Sequence, residues 1–254
     1  MELHSPSVRE RRPDTGAWSV TEASFALPAN GAPATYPSSY RGCHWGVCTA
    51  GSGLPLRVGD LTGAHTSWST RQVDSGAYNA SMDLWLNSTP VTDAQPDGTE
   101  VMIWMNHRGG VQPIGSHAAT VQLDGRSWDV WTGPGASGWK VVSYVLQGGA
   151  TEFADLDVLG LIDDAVARGS IDPAHYLIDV EAGFEIWQGG QGLGTDSFSF
   201  TASGPDAGAP MTADHVSGSL ARERLPDLIS SNCRPCRAFG GGGVVRTVDK
   251  SATA

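Results

Sequence analysis

Two glutamates, Glu100 and Glu185, sit in settings that distinguish them from the chain's other acids. An extended chain turns successive side chains to opposite faces. In Glu100-Val-Met-Ile-Trp-Met105, Val101, Ile103 and Met105 therefore make one apolar face, while Glu100, Met102 and Trp104 share the other. In Met82-Asp-Leu-Trp-Leu86, Asp83 and Trp85 face away from Met82, Leu84 and Leu86. In Gly183-Phe-Glu-Ile-Trp187, Glu185 and Trp187 face together with Phe184 and Ile186 behind them. Any one of these would pass for a solvated face that includes an acid. Three alike point to carboxylates set among indoles in a groove. Two such carboxylates can cleave an acetal: one attacks carbon or activates water, and the other, protonated, donates to the leaving oxygen. Alternation leaves open which glutamate plays which part. It also leaves open their separation, which divides retention from inversion.

The elements that must position these acids read as short strands separated by Gly, Pro, Asn and Asp. The candidates are Tyr78–Leu86, Glu100–Met105, Thr120–Leu123, Trp128–Thr132, Lys140–Leu146, Tyr176–Ile178, Gly183–Trp187 and Ser197–Thr201. One stretch differs: over 155–168, Leu156, Leu159, Ile162 and Val166 fall at helical spacing, and Arg168-Gly169 supplies a helix end. Many strands with one helix predict an all-β fold, a two-sheet antiparallel β-sandwich of the jelly-roll, concanavalin-like kind, with the helix packed outside. Three zones follow: a polar segment 1–17 without period, a strand-rich domain over 18–203, and a Gly/Pro/Ala/Ser-rich tail over 204–254 that reads as linker or disorder. In the tail, 220–229 has weak helical character.

Composition agrees with a carbohydrate site. Tryptophan outnumbers each other aromatic, with 9 Trp against 6 Phe and 5 Tyr; an indole face stacks on a sugar ring while its N–H stays bonded. The net charge of −11 is concentrated in the middle zone, where 19 acidic groups face 7 basic ones. Such a surface repels phosphate backbones, so nucleic acid is not an expected partner. No apolar run reaches a membrane span, and Met1–Arg12 has no apolar stretch of the signal-peptide kind. Cys43 and Cys48 enclose a short loop that a disulfide could close in an oxidising compartment. Cys233 and Cys236 have half the spacing of a zinc or redox site but no second pair beside them, so no metal is expected there.

Several segments together resemble glycoside hydrolase family 12, the β-jelly-roll endo-β-1,4-glucanases, over about residues 18–203. They are Asn30-Gly-Ala-Pro-Ala-Thr-Tyr-Pro-Ser, Tyr40-Arg-Gly-Cys-His-Trp-Gly, Tyr78-Asn-Ala-Ser-Met-Asp-Leu-Trp, Thr99-Glu-Val-Met-Ile-Trp-Met-Asn-His-Arg-Gly, Val111-Gln-Pro-Ile-Gly, Trp128-Asp-Val-Trp-Thr-Gly and Ala182-Gly-Phe-Glu-Ile-Trp. The resemblance implies Glu100 as nucleophile, Glu185 as general acid/base and Asp83 as a third carboxylate beside the nucleophile. It implies retention of anomeric configuration, which needs carboxyl groups about 5–5.5 Å apart. It also implies His44 and a Cys43–Cys48 disulfide flanking the glycone side, Met102 and Trp104 lining the groove, no cofactor, a β-glucan substrate, a monomer and secretion. The family's first strands, with an Asn-x-x-Trp-Gly sugar-binding segment, have no counterpart in 1–17. Two alternatives to the endoglucanase stand beside it: a non-catalytic glucan-binding sandwich, evolved or left by the missing strands, and, among enzymes, a xyloglucan-specific endoglucanase, between whose substrates the sequence does not choose.

Overall fold

The computed structural model describes residues 7–12, 16–44, 46–135, 138–205 and 245–248. Cys233, Cys236, the 220–229 stretch and most of the tail lie outside the described residues.

Two sheets face each other across one core. The smaller has five strands in the order β1 (Ser7–Arg12), β2 (Ala17–Glu22), β15 (Gly194–Ser203), β7 (Gly63–Arg71) and β13 (Glu152–Asp157). The larger runs β10 (Ser116–Leu123), β11 (Arg126–Pro134), β12 (Lys140–Leu146), β9 (Thr99–Arg108), β8 (Ala77–Asn87), β14 (Tyr176–Gly190), β4 (Tyr36–His44) and β16 (Val245–Val248). The short β3 (Ser24–Ala26) and β6 (Leu56–Arg57) pair with β14, and β5 (Val47–Cys48) pairs with β4. Among the described residues every strand pairing is antiparallel but one: β12 runs parallel to β9. Residues 7–12, which carry no sequence period, form the edge strand beside β2.

The core faces match the alternation of the sequence. Met82, Leu84 and Leu86 of β8, Val101, Ile103 and Met105 of β9, and Phe184 and Ile186 of β14 pack against Trp18, Val20, Trp68, Phe153 and Phe200 of the smaller sheet. Phe184 is the hub, with the rings of Trp18 and Trp68 each 5.9 Å away. Aromatic pairs at such spacing add to the burial of their area.

Two expected strands, Tyr176–Ile178 and Gly183–Trp187, are parts of the single strand β14. The helix is shorter than the spacing suggests. It spans Val158–Ala167, and the five residues before it belong to β13. A bulge between Phe153 and Leu156 turns both inward, so their spacing of three copies a helical step inside a strand. Asp157 then caps the helix, its carboxylate accepting the Gly160 N–H at 3.2 Å. Val158, Leu161, Ile162 and Ala165 form the buried helix face, while Leu156 is a strand residue of the core.

Candidate active site

Strand register arranges the outer face of the larger sheet into rows running across β9, β8, β14 and β4. Trp104, Ser81, Gly183 and Ser38 form one row, and Met102, Asp83, Glu181 and Tyr40 the next. Glu100, Trp85, Asp179 and Gly42 form a third. On the other side of the Ser81 row, His107, Asn79 and Glu185 align. Glu100 and Glu185 therefore stand on the two strands flanking β8, with the Asp83 and Ser81 rows between them.

Each acid is held by a named donor. Glu185 Oε2 accepts the Asn79 side-chain amide at 2.7 Å, and the Glu185 backbone N–H donates to Asn79 Oδ1 at 3.1 Å. Trp139, carried on the turn between β11 and β12, donates its indole N–H to Glu100 Oε2 at 3.0 Å. Its ring also meets Trp85 edge-on, 5.8 Å between centroids. Ser81 Oγ donates to Asp83 Oδ1 at 3.1 Å. Charge-assisted bonds of this kind are stronger than neutral ones and fix carboxylate orientation.

The face is largely covered. Glu100 and Glu185 are each 6% exposed and Asp83 is fully buried. Met102 and Trp104, expected along the groove, are also buried, in a second apolar cluster with Ala77, Val111, Val141, Val145 and Trp187. Trp131 and Trp139 pack against that cluster while keeping part of their surface exposed. The tryptophans thus divide between roles, with Trp18, Trp68 and Trp128 in the main core and these others on the acid face.

Negative charge is dense here, and Tyr36 registers it. Its phenol donates to the Ser81 carbonyl at 3.1 Å. Burial first, then the charges of Asp83, Glu181 and Glu185, push its pKa well above the ordinary tyrosine range, so it remains a neutral donor.

His44 ends β4, next to the Cys43–Cys48 disulfide, which is formed. Its Nδ1 lies 2.9 Å from Glu181 Oε1 and 3.3 Å from Asp179 Oδ2. Burial would lower its pKa, but contact with Asp179 and Glu181 outweighs burial and raises it to about 9. Burial raises Asp179 to about 7, with Glu181 adding to the rise and His44 opposing it. His44, Asp179 and Glu181 are also the residues of this face whose donor atoms converge as a metal would need.

The structure thus gathers Glu100, Asp83, Glu185, Met102, Trp104 and His44 on one sheet face. Sequence reasoning missed Asp179, Glu181, Asn79, Tyr36 and Trp139. Asp179 and Glu181 alternate with Glu185 in Ile178-Asp-Val-Glu-Ala-Gly-Phe-Glu, a signal hidden by ending one strand at Ile178 and starting another at Gly183. Asn79 stands four residues before Asp83 on the same face and was equally legible. Trp139 arrives from a turn, where no period exists to find it.

A jelly-roll sandwich with paired glutamates, a third carboxylate and indoles on one sheet face defines a glycoside hydrolase. The chain belongs to glycosyl hydrolase family 12, whose model matches residues 12–203. The fold is similar to the endoglucanase cel12A of Rhodothermus marinus, at a TM-score of 0.72 and 42% identity, covering 75% of this chain and 83% of that one. It is also similar to the family 12 xyloglucanase of Bacillus licheniformis, at a TM-score of 0.64 and 25% identity, covering 77% and 85%. In sequence, it is 36% identical over 152 residues to the probable cellulase Cel12b of Mycobacterium tuberculosis, covering 59% of this chain and 97% of that protein. It is 29% identical over 149 residues to a probable xyloglucan-specific endo-β-1,4-glucanase A of Aspergillus clavatus, covering 56% and 60%.

Proposed function

We propose that the chain is a retaining endo-β-1,4-glucanase with Glu100 as nucleophile and Glu185 as general acid/base. The observation that carries this reading is the placement of Glu100, Asp83 and Glu185 on three adjacent strands, each acid held by its own donor.

In the first step Glu100 attacks the anomeric carbon as Glu185 gives its proton to the leaving glycosidic oxygen. The indole N–H of Trp139 holds the Glu100 carboxylate in one orientation for that attack, with Asp83 as the third carboxylate one row away on β8. In the second step Glu185 takes a proton from water, which attacks the glycosyl–Glu100 ester and frees the sugar. The two carboxylates supply nucleophile, acid and base, so the reading needs no cofactor.

Double displacement requires the two carboxyl groups about 5–5.5 Å apart. Their rows are six positions apart on β8, which a straight strand would stretch to about 20 Å. Bulges at Ala80/Ser81 against β9 and at Leu177/Asp179 and Ile186/Gln188 against β14 interrupt the ladders beside these rows. Bulges bend and twist a strand, and the reading assigns them the convergence of the two glutamates.

The preferred substrate is an unbranched β-1,4-glucan, because the relatives of higher identity are an endoglucanase and a probable cellulase. Secretion and a monomeric state belong to the same reading, and the formed Cys43–Cys48 bridge suits an oxidising compartment. Among the described residues, no helix is long and apolar enough to cross a membrane. In the decisive test, Glu100→Gln abolishes reducing-end release from carboxymethylcellulose and barley β-glucan while the circular dichroism spectrum is unchanged. Full activity in that variant overturns the assignment. Faster turnover of xyloglucan than of either glucan overturns the substrate preference alone.

A further inference from the structure

We propose that His44, Asp179 and Glu181 form a binding site for a first-row divalent cation, with Zn²⁺ and Mn²⁺ the best fits. The site lies on the same sheet face but uses neither of the two glutamates to which the hydrolytic reading assigns the chemistry.

One donor atom from each of the three residues falls within 4.8 Å of the others. His44 Nδ1 is 2.9 Å from Glu181 Oε1 and 3.3 Å from Asp179 Oδ2. Ligands held about 2.0–2.2 Å from zinc at tetrahedral or octahedral angles stand about 2.9–3.5 Å apart. The imidazole nitrogen and each carboxylate oxygen already have the separation of two ligands on one ion. Three protein ligands leave further positions for water.

Asp179 is 1% exposed; its Oδ1 has no hydrogen-bond partner among the described residues, and its Oδ2 has the His44 ring nitrogen at 3.3 Å. A buried carboxylate with one oxygen unsatisfied is costly, and a bound cation is one of the ways proteins satisfy it. The backbone makes room for this side chain. Gly42 lies opposite Asp179 across the β4–β14 ladder. A Cβ there would meet the Ile178 carbonyl at 2.4 Å, Asp179 Cα at 2.7 Å and Asp179 Oδ1 at 3.0 Å, so any other residue would push β4 away from β14 at this point.

Ser38 Oγ donates to Glu181 Oε2 at 2.8 Å, leaving Oε1 to face the imidazole. Metal-binding carboxylates are oriented by outer hydrogen bonds of this kind. His44 is anchored beside the Cys43–Cys48 bridge and keeps 14% of its side chain exposed, which gives an ion an approach from solvent. One imidazole with two carboxylates suits Zn²⁺ or Mn²⁺ better than a soft ion or calcium, which takes six to eight oxygens.

The test uses the full chain carrying Cys233→Ser and Cys236→Ser, so that the tail thiols do not compete for metal. After removal of metals by a chelator, Zn²⁺, Mn²⁺ and Ca²⁺ are titrated in turn by calorimetry. One Zn²⁺ or Mn²⁺ per chain is expected, with Ca²⁺ weaker. Asp179→Asn, which keeps the side-chain shape, should weaken the binding at least about tenfold. Glu181→Gln should do the same and stands in should Asp179→Asn not fold. Metal should also raise the melting temperature of the parent and leave that of the variants unmoved. Absence of saturable binding up to about 1 mM overturns the site. So does an affinity unchanged in folded Asp179→Asn or Glu181→Gln.

Discussion

Asn79 grips Glu185 at two points, its amide donating to the carboxylate at 2.7 Å and its carbonyl oxygen accepting the Glu185 backbone N–H at 3.1 Å. The pair bridges β8 and β14 and leaves the carboxyl group little freedom to turn. Removing the donor should cost orientation more than affinity. Asn79→Ala is expected to lower kcat about 10- to 100-fold, as loss of a hydrogen bond to a charged group would, with KM nearly unchanged. Steady-state kinetics on barley β-glucan check this. A kcat within twofold of wild type would remove Asn79 from the machinery.

Trp139 bears the same relation to Glu100, with the difference that its ring also packs on Trp85. Trp139→Phe keeps most of the ring and deletes the N–H. Activity should fall by about tenfold or more through kcat, with thermal stability close to wild type. A loss in stability with kcat preserved would mean that the indole serves packing rather than the carboxylate.

The stereochemical outcome tests the convergence of the two glutamates. A double displacement on a β-linked glucan releases the β-anomer first, and mutarotation follows. Proton NMR of the earliest products from a cello-oligosaccharide should show that anomer accumulating ahead of the α form. Initial α-anomer would replace the proposed mechanism with a single inversion, and would fit a wide separation of Glu100 from Glu185.

Gly183 separates Glu181 from Glu185 on β14 because β4 passes too close for a side chain. A Cβ at this position would meet the Pro37 carbonyl at 2.3 Å and Ser38 Cα at 2.8 Å. Gly183→Ala should push β4 away and destabilise the fold by roughly 1–3 kcal/mol. Since Gly183 stands two residues from Glu185 on the same strand, activity should fall along with the urea midpoint. Equal stability of the two proteins would show that the close approach of β4 is not needed.

How much of this was legible in sequence depended on what faced inward. The strands β8 and β9 alternate large apolar residues with acids and indoles, so their faces could be read directly. Gly63–Arg71 alternates just as strictly, but Thr66 and Thr70 are among its inward residues. Their hydroxyls bond to the Ser199 and Thr151 carbonyls, which allows a threonine to stand where apolar pattern-reading looks for valine. Tyr36–His44 was hidden for another reason: it is buried on both faces, with serines on each, and shows no period. Trp104 and Met102 were placed on the correct face, yet their burial depends on Val111, Val141 and Val145 from elsewhere in the chain. No local pattern announces such a covering.

The central position of β8 has a consequence for how the molecule fails. Its residues from Asn79 to Trp85 are bonded to β9 on one edge and β14 on the other, under the core and the second apolar cluster. Amides in such a strand exchange with deuterium only when the whole domain opens. Heat should therefore extinguish catalysis and tertiary structure at one temperature, with no inactive but folded species preceding the collapse.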